Sequence, residues 1–343
     1  MKTTSDTVLV TGASGFIAQH CILELLRAGH RVRGTVRDLS AAARIHSTLS
    51  RQTPIGGRLE LVQADLLRDE GWDDAVRGCR GVLHVASPFP RGLPEHEDEL
   101  VIPARDGALR VLRAASRAGV RRVVMTSSLA AVTYGHSPDG RAYDERDWSN
   151  TERDIGAYQK SKTLAERAAW DFVNALPPER AMELVTVNPG LVLGPVLDDD
   201  YGTSGELVKK LLRREMPGCA NLGWAMVDVR DVARMHLLAL QTKEAAGQRF
   251  ICAGEHYWMI DVAKVLDRHF RPRGYKVPTR KIPAWLLRLA ARFDKTLRLV
   301  VNEIGLRQDV SHERAIKVLG WEPRGLEEMV VAMGESLIQH GVA

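Results

Sequence analysis

Cysteine, aromatic residues and long apolar runs are all scarce in this chain of 343 residues. The four cysteines lie far apart and form no Cys-x-x-Cys pair, which argues against a disulfide framework or a metal site and predicts buried, reduced thiols at Cys21, Cys79, Cys219 and Cys252. No apolar stretch approaches the roughly 20 residues of a membrane span. The amino terminus leads directly into the first apolar run, without room for a signal peptide. We therefore expect a cytoplasmic protein that has no membrane partner.

Charge of one sign is not concentrated anywhere in the chain. The 48 Lys and Arg residues exceed the 43 Asp and Glu residues by five, and they are spread along the sequence, so nucleic-acid binding is not indicated. Hydrophobic residues at 45% and charged residues at 27% are ordinary for a globular enzyme. The slight positive excess would suit an anionic cofactor, although solubility explains most of the arginines.

The most informative stretch is 8–18, where an apolar run stops at Gly12 and an amphipathic run begins after Gly15. This pattern predicts a strand, a tight turn and a helix, with small Ala18 allowing close packing of helix on strand. Gly12 can adopt backbone angles barred to other residues, and Gly15 lets a ligand approach the backbone. The first amides of such a helix point at an anion, usually a diphosphate. The predicted diphosphate-binding residues are Gly12, Ser14, Gly15, Phe16 and Ile17.

Apolar runs of strand length alternate with helical periodicity from residue 8 to about residue 187. This alternation predicts a parallel sheet with crossover helices. Helices are expected at 16–28 and 100–118, each followed by a glycine. The fold class is a doubly wound α/β fold, the NAD(P)-binding Rossmann fold, which binds ligands beyond the carboxyl ends of its strands. The predicted strands are 7–10, 31–36, 59–64, 81–86, 122–126 and 183–187.

The end of the second strand bears on the choice between NADP and NAD. Arg37 would pair there with a 2′-phosphate, aided by Arg44 on the next helix. If Asp38 stood at the tip instead, it would accept hydrogen bonds from a free ribose; its alternative is to cap the next helical segment. We favour Arg37, and hence NADP.

The third and fourth strands end in residues that could contact the rest of the dinucleotide. Asp65, followed by Leu66, is placed to accept a hydrogen bond from the adenine amino group, or else it closes a turn. Small Ala86 would let the cofactor lie against the backbone. His84, inside an apolar strand, is predicted to be a core histidine.

The fifth strand ends in Ser127-Ser128, and Tyr158 and Lys162 follow about 30 residues later on one face of a helix. A tyrosine with its unperturbed pKa of about 10 exchanges protons poorly near neutrality, but a nearby ammonium favours the phenolate. A serine hydroxyl, from Ser128 or alternatively Ser127, would hydrogen-bond the substrate oxygen as charge grows on it. This combination predicts a Ser-Tyr-Lys site for carbonyl reduction.

Together, Thr-Gly-x-x-Gly-x-x-Ala at 11–18, Thr-Ser-Ser at 126–128 and Tyr158-x-x-x-Lys162 resemble the extended short-chain dehydrogenases/reductases. More narrowly, the chain resembles the branch of dihydroflavonol reductases, cinnamoyl-CoA reductases and microbial aldehyde or ketone reductases. The segments that carry this likeness are Gly-Thr-Val-Arg-Asp at 34–38, His-Val-Ala-Ser-Pro at 84–88, Tyr-Asp-Glu-Arg-Asp-Trp at 143–148 and Asn-Pro-Gly-Leu-Val-Leu-Gly-Pro at 188–195.

The resemblance implies NADPH as hydride donor, with Lys162 on the nicotinamide ribose and with Pro189 and Val192 along the nicotinamide. It also implies a possible homodimer through the helices around Leu100 and Tyr158. The expected domains are a dinucleotide-binding domain at 1–188, to which 226–254 returns, and an interleaved substrate-binding domain at 189–225 and 255–343.

The substrate expected from the sequence is a compact aldehyde or ketone. Plant flavonoid reductases of this branch carry an asparagine soon after the Ser-Ser pair, whereas this chain has Thr133. A sugar-nucleotide epimerase or dehydratase is the alternative on the same fold, against which Arg37 argues, and a non-catalytic NADP-sensing protein is another. Candidate pocket residues, for which packing is an equal explanation, are Phe89, Thr133, Tyr134, Leu193, Tyr201, Trp224 and Met226.

One helix of the second domain has two interpretations. Leu286, Leu287, Leu289 and Ala290 have the spacing of a core-facing helix. The alternative is a helix that lies on a membrane surface.

Overall fold

The computed structural model describes residues 7–88, 94–137, 140–293 and 301–343. The strands in this part of the chain are β1 (Thr7–Val10), β2 (Arg31–Val36), β3 (Leu59–Gln63), β4 (Gly81–His84), β5 (Arg122–Thr126), β6 (Glu183–Pro189), β7 (Leu191–Leu193), β8 (Gly223–Asp228), β9 (Arg249–Cys252) and β10 (His256–Trp258).

Helices surround these strands. They are α1 (Phe16–Arg27), α2 (Ala42–Ser50), α3 (Trp72–Val76), α4 (Asp98–Arg117), α5 (Ala157–Asn174), α6 (Gly202–Leu212), α7 (Val229–Gln241), α8 (Met259–Phe270), α9 (Ala284–Ala290) and α10 (Leu326–Gln339). None of the helices described is long and apolar enough to cross a membrane.

Seven strands form one parallel sheet in the order β3-β2-β1-β4-β5-β6-β9. Helix α1 packs beside α7 on one face, and α4 packs beside α5 on the other. This arrangement confirms the doubly wound α/β fold. Six strands of the sheet were predicted, and the seventh, β9, joins through parallel pairing of Arg249–Cys252 with 186–189 of β6.

Local signals set several element boundaries. Helix α1 ends at Arg27 and α4 at Arg117, and the glycines beyond them, Gly29 and Gly119, have φ of 88° and 69°. Strand β4 stops two residues before its predicted end because the amide of Ala86 donates to the Thr11 hydroxyl instead of to a neighbouring strand.

A smaller, mixed sheet accompanies the large one. Strand β8 pairs in parallel with β7 and antiparallel with β10, and an apolar cluster beneath it joins α6, α8 and α10. Because β8 belongs to this sheet while β9 extends the large one, 226–254 contributes to both. The division into two domains stays a prediction.

The predicted packing of helix α9 is wrong for two of its leucines. Leu286 and Leu289 are 43% and 45% exposed, while Leu287 is buried. The helix is only seven residues long, and its buried side is a narrow stripe that consists of Leu287 and of Ala291, the residue just after the helix.

The four cysteines are free and buried, as predicted from their spacing. Burial raises the pKa of each thiol, to about 11 for Cys219 and well above its usual value for Cys252. At Cys79 and Cys21 burial again is the largest cause of the upward pKa shift.

Gly190, between β6 and β7, is required by close packing. A Cβ there would clash with the carbonyl oxygen of Ala225 and lie 2.9 Å from its carbonyl carbon. We expect Gly190→Ala to lower the free energy of unfolding by about 2 kcal/mol, since an overpacked site must shift its neighbours. Gly254→Ala, whose Cβ would come no nearer than 3.3 Å to the Met226 carbonyl oxygen, should cost less than half as much in urea denaturation. Equal losses would contradict the packing argument.

Buried histidines make stability depend on pH. His236 lies 2.8 Å from the Val232 carbonyl through Nδ1 and 2.7 Å from Thr126 Oγ1 through Nε2. The carbonyl can only accept, so Nδ1 carries the proton and Nε2 accepts from the hydroxyl. Burial lowers the pKa of His236 to about 4, and also lowers those of His20 and His84, to about 4 and about 3.

An unfolded histidine titrates near pH ~6.5, so below that pH the unfolded chain binds more protons than the folded one. Stability should fall as pH drops from ~6.5 toward the folded pKa, by up to about 1.4 kcal/mol per pH unit for each histidine. We expect His236→Gln to flatten the pH dependence of unfolding free energy between pH ~6 and ~4.5 by roughly 1 kcal/mol per unit. The exposed His340→Gln is the control variant, and an equal slope in the two would disprove the assignment.

Candidate active site

The turn between β1 and α1 has the shape of an anion cradle. Gly12 has φ of 70°, and a Cβ on it would lie 2.9 Å from the Cβ of Ala86, so only glycine fits. Gly15 is the N-cap of α1, and no side chain caps the first turn. The opening amides of this 12-residue helix, at Phe16 and Ile17, are therefore available to a ligand.

Ser14, inside the turn, is held through its backbone. Its carbonyl accepts a hydrogen bond from Gln19 Nε2 at 3.0 Å, and the same nitrogen donates to Asp198 Oδ2 at 3.0 Å. The Arg44 guanidinium also donates to Asp198, at 2.7 Å, and to Asp199 at 3.4 Å. Arg44 is thus paired with the loop after β7, a contact that the sequence analysis did not foresee.

Arg37 and Asp38 differ in what surrounds them. Arg37 is exposed, and its guanidinium has no hydrogen-bond or ion-pair partner in the described part of the chain. Asp38 Oδ1 accepts from the Ser40 amide at 2.9 Å, which caps the short 3₁₀ helix Leu39–Ala41 and lowers the pKa of Asp38. The structure therefore gives Asp38 the capping contact and leaves the Arg37 guanidinium without a partner among the residues described.

The third strand leads into a closed turn. Asp65 Oδ1 accepts from the Leu67 amide at 3.0 Å, and the Asp65 carbonyl accepts from Trp72 Nε1. Leu66 is buried, and its carbonyl accepts from Arg110 at 2.8 Å. The turn-closing alternative for Asp65 is thus realised, while its second carboxylate oxygen has no hydrogen-bond partner among residues 7–88, 94–137, 140–293 and 301–343.

His84 is buried beneath the edge of the sheet. The Thr11 hydroxyl accepts from the Ala86 amide at 2.9 Å and lies 3.0 Å from His84 Nδ1. Burial lowers the pKa of His84 to about 3, and the positive charge of Lys162 adds to the shift. A neutral imidazole that supports the Thr11 turn agrees with the core role predicted for His84.

Tyr158 and Lys162 lie on successive turns of α5. The Lys162 Nζ is 5.7 Å from the centroid of the Tyr158 ring, and the tyrosine is 38% exposed. Lys162 is half-buried beside a small cavity that His84, Ser127 and Thr126 also line. Its ammonium makes no hydrogen bond or ion pair within the described residues. A half-buried cation of this kind is suited to a ligand and to stabilising a phenolate.

The two adjacent serines have different partners. The Ser127 hydroxyl is buried and donates to Glu166 Oε2 at 2.5 Å. The Ser128 oxygen accepts from the Ala130 amide at 3.1 Å, which caps the 3₁₀ helix Leu129–Ala131. Because a hydroxyl also carries one proton, Ser128 can still donate to a ligand, whereas Ser127 donates to the protein.

Glu166 is the centre of a buried network that the sequence analysis missed. Its Oε1 accepts from Arg249 Nε at 2.7 Å and from the Thr186 hydroxyl at 2.9 Å. Its Oε2 accepts from Ser127 and from Asn188 Nδ2 at 2.8 Å. The only signal in the sequence is a glutamate one turn after Lys162, on the buried face of α5. Five described side chains, the fifth being Trp170, donate to this carboxylate.

Pro189 and Val192 lie on either side of Gly190, at the end of β6 and in β7, and both are largely buried. Of the candidate pocket residues, Phe89 lies outside the described residues. Leu193 and Met226 are fully buried in the cluster beneath the small sheet. For these two residues the structure favours packing over substrate contact.

Tyr134 lies beside the carboxyl group of Glu303, a residue that the sequence analysis also missed. Its hydroxyl hydrogen-bonds Gln159 and Glu303, and burial raises the pKa of Tyr134, with the charge of Glu303 and the proximity of Tyr158 adding to it. Burial likewise raises the pKa of Glu303. Tyr134 and Glu303 thus form a polar pair near Tyr158. In the same region the Thr133 hydroxyl donates to Gln308 Oε1 at 3.2 Å.

The chain is similar to known proteins both in sequence and in fold. Residues 8–254 match the model of the NAD dependent epimerase/dehydratase family. The chain is 39% identical over 254 residues to cinnamoyl-CoA reductase CAD2 of Medicago truncatula, a match that covers 71% of this chain and 74% of that protein. Tetraketide alpha-pyrone reductase 1 of Arabidopsis thaliana is 34% identical, over 99% of this chain and 98% of the relative.

Among solved structures, yeast methylglyoxal/isovaleraldehyde reductase Gre2 in complex with NADPH superposes with a TM-score of 0.81 at 28% identity, covering 98% of this chain and all of that one. Vestitone reductase from alfalfa matches with a TM-score of 0.74 at 26% identity, covering 98% and 99% of the two chains. The chain therefore belongs to the NAD dependent epimerase/dehydratase family, the extended short-chain dehydrogenases/reductases that its motifs predicted.

Proposed function

We propose that this protein is an NADPH-dependent reductase that converts an aldehyde or ketone to an alcohol. Family membership and reductase relatives give the coarser activity, an NAD(P)-dependent oxidoreductase. The observation that carries the finer proposal is the Lys162 ammonium, which has no hydrogen-bond or ion-pair partner among the described residues and lies 5.7 Å from the Tyr158 ring at the carboxyl edge of the sheet. Ser128 lies at the end of the adjoining strand with a proton to donate.

The residues around the β1–α1 turn fit a dinucleotide. The uncapped amides of α1 suit the diphosphate, with Gly12 and Ala86 leaving room for it. Arg37, whose guanidinium is unpaired in the part of the chain that the structure describes, suits a 2′-phosphate, and Lys162 suits the hydroxyls of the nicotinamide ribose. NADPH, when bound there, supplies the hydride that forms the new C–H bond.

Tyr158 is assigned the proton donor. Its phenol gives a proton to the carbonyl oxygen as that oxygen gains negative charge, so the product is the neutral alcohol. The Lys162 ammonium favours the phenolate that remains, and the Ser128 hydroxyl donates a hydrogen bond to the same oxygen. Pro189 and Val192 are proposed to line the nicotinamide side of the site.

The alternative of a sugar-nucleotide epimerase or dehydratase finds less support at the second strand. Such enzymes usually present an acidic residue to the ribose, whereas Asp38 here is engaged with the Ser40 amide. A compact carbonyl substrate is favoured by Thr133, which is buried and bonded to Gln308. A flavonoid-type contact from this position is therefore not supported.

We expect Tyr158→Phe to lower kcat by roughly 10²- to 10⁴-fold, the usual range for loss of a positioned proton donor. NADPH should still bind with a Kd within about 2-fold of the wild type, because the phenol is not needed for diphosphate or ribose contacts. Turnover is followed by NADPH absorbance with aromatic aldehydes, aliphatic ketones, β-keto esters and a dihydroflavonol. Tyr275→Phe, at a tyrosine that packs on Phe270, is the matched control. A wild type that is inactive with every carbonyl would refute the proposed function.

We expect Arg37→Gln to raise the KM for NADPH by roughly 10- to 100-fold, the effect of losing charge-assisted hydrogen bonds to a phosphate. The KM for NADH should change by less than about 2-fold, because that cofactor has no 2′-phosphate. Arg31→Gln, at the opposite end of the same strand β2, is the control. Equal effects on both cofactors would show that Arg37 does not select NADP.

A further inference from the structure

Few contacts with the large sheet hold the backbone of Ser128 in place. It follows the end of β5, and its carbonyl accepts from the Ala131 amide at 3.0 Å and from Asn188 Nδ2 at 3.2 Å. The first contact lies within its own turn. The second ties that turn to β6, and it is made by a side chain that is almost fully buried.

The orientation of the Asn188 amide depends on Glu166. Both hydrogens of Nδ2 are used, one on Glu166 Oε2 at 2.8 Å and one on the Ser128 carbonyl at 3.2 Å. A carboxylate can only accept hydrogen bonds, so it holds the NH₂ group of Asn188 toward itself and toward Ser128. Arg249, which pairs with Glu166 at 2.7 Å, fixes the carboxylate in turn.

We propose that Glu166, acting through Asn188, is a positioning residue that fixes the Ser128 hydroxyl at the active site. The role in catalysis rests on the proposed carbonyl reduction, in which Ser128 contacts the substrate oxygen. The contact itself is a property of the fold, and it can be measured without any substrate.

Glu166→Gln tests whether position 166 needs a carboxylate or only a side chain of the same size and shape. If the oxygen of the new side-chain amide accepts from Arg249, its NH₂ group faces the NH₂ of Asn188. If the new side-chain amide is rotated by 180°, its NH₂ group faces Arg249 instead. In the first arrangement Asn188 must flip and present its oxygen to the Ser128 carbonyl, which displaces the turn. In the second, the buried Arg249 guanidinium keeps its backbone carbonyl partners but loses its carboxylate partner.

A matched control lies at the other end of the same strands. Arg122 of β5 pairs with Glu183 of β6 at 2.7 Å, with side chains 6% and 31% exposed. Glu183→Gln therefore perturbs an ion pair that joins β5 to β6, whereas Glu166→Gln perturbs one that joins α5 to β9 near the active site. Loss of stability alone should appear in both variants.

We expect Glu166→Gln to lower kcat by about 10-fold, a fraction of the loss that follows removal of an oxyanion donor, with Kd for NADPH changed by less than about 2-fold. Glu183→Gln should keep the wild-type kcat. In a Ser128→Ala background, Glu166→Gln should cause no further loss of kcat, because the group that it positions is gone. Losses that multiply in the double variant would overturn the proposal.

Amide hydrogen exchange gives a readout that does not depend on turnover. Exchange in residues 128–133 should be at least about 10-fold faster in Glu166→Gln, and also in Asn188→Ser, which keeps the Glu166–Arg249 pair, but not in Glu183→Gln. Unchanged exchange in Asn188→Ser would overturn the positioning role even if Glu166→Gln fails to fold. Faster exchange in a protein that reduces no carbonyl would support the contact while rejecting the proposed function.

Discussion

The register of the four central strands, β1, β4, β5 and β6, decides where the candidate site residues that follow these strands lie. Val10 pairs with Leu83, Leu83 with Val124, and Val124 with Val185. Parallel strands that are aligned in this way end at one edge, so the residues that follow them emerge side by side. The anion cradle of β1, the small-residue end of β4 and the serines after β5 are brought together by this alignment alone. A slip of one residue would turn the serines to the opposite face.

Burying the Glu166–Arg249 pair carries a cost, since each ion loses several kcal/mol of hydration. The cost is offset by hydrogen bonds that use both carboxylate oxygens and by the Arg249 guanidinium, which lies 3.7 Å from the centroid of the Trp148 ring and donates to the carbonyls of Glu145 and Asp147. The pair and these partners together come from five separate segments of the chain. What the pair contributes is therefore a defined arrangement of distant segments, more than net stability.

The sequence predicted the features that depend on neighbouring residues. The local signals are the periodicity of strands and helices and the glycines after α1 and α4. Gly12 is another local signal, because a glycine in a tight turn indicates a positive φ. The seventh strand β9, the pairing of Arg44 with Asp198 and the pairing of Glu166 with Arg249 depend on contacts between residues 63 to 154 positions apart, which periodicity does not encode. The prediction that Leu286 and Leu289 of α9 face the core was wrong for the same reason. Residue spacing predicts an apolar stripe on a helix, but it does not predict whether another segment covers that stripe.

The burial of the cysteines has a consequence for their reactivity toward electrophiles. Electrophiles attack the thiolate form of cysteine, and that form requires an accessible sulfur with a depressed pKa. All four thiols here are buried and have raised pKa values. None of the four cysteines is therefore available as a nucleophile with which an aldehyde or an unsaturated ketone could form an adduct, because all four thiols lie within the packed core.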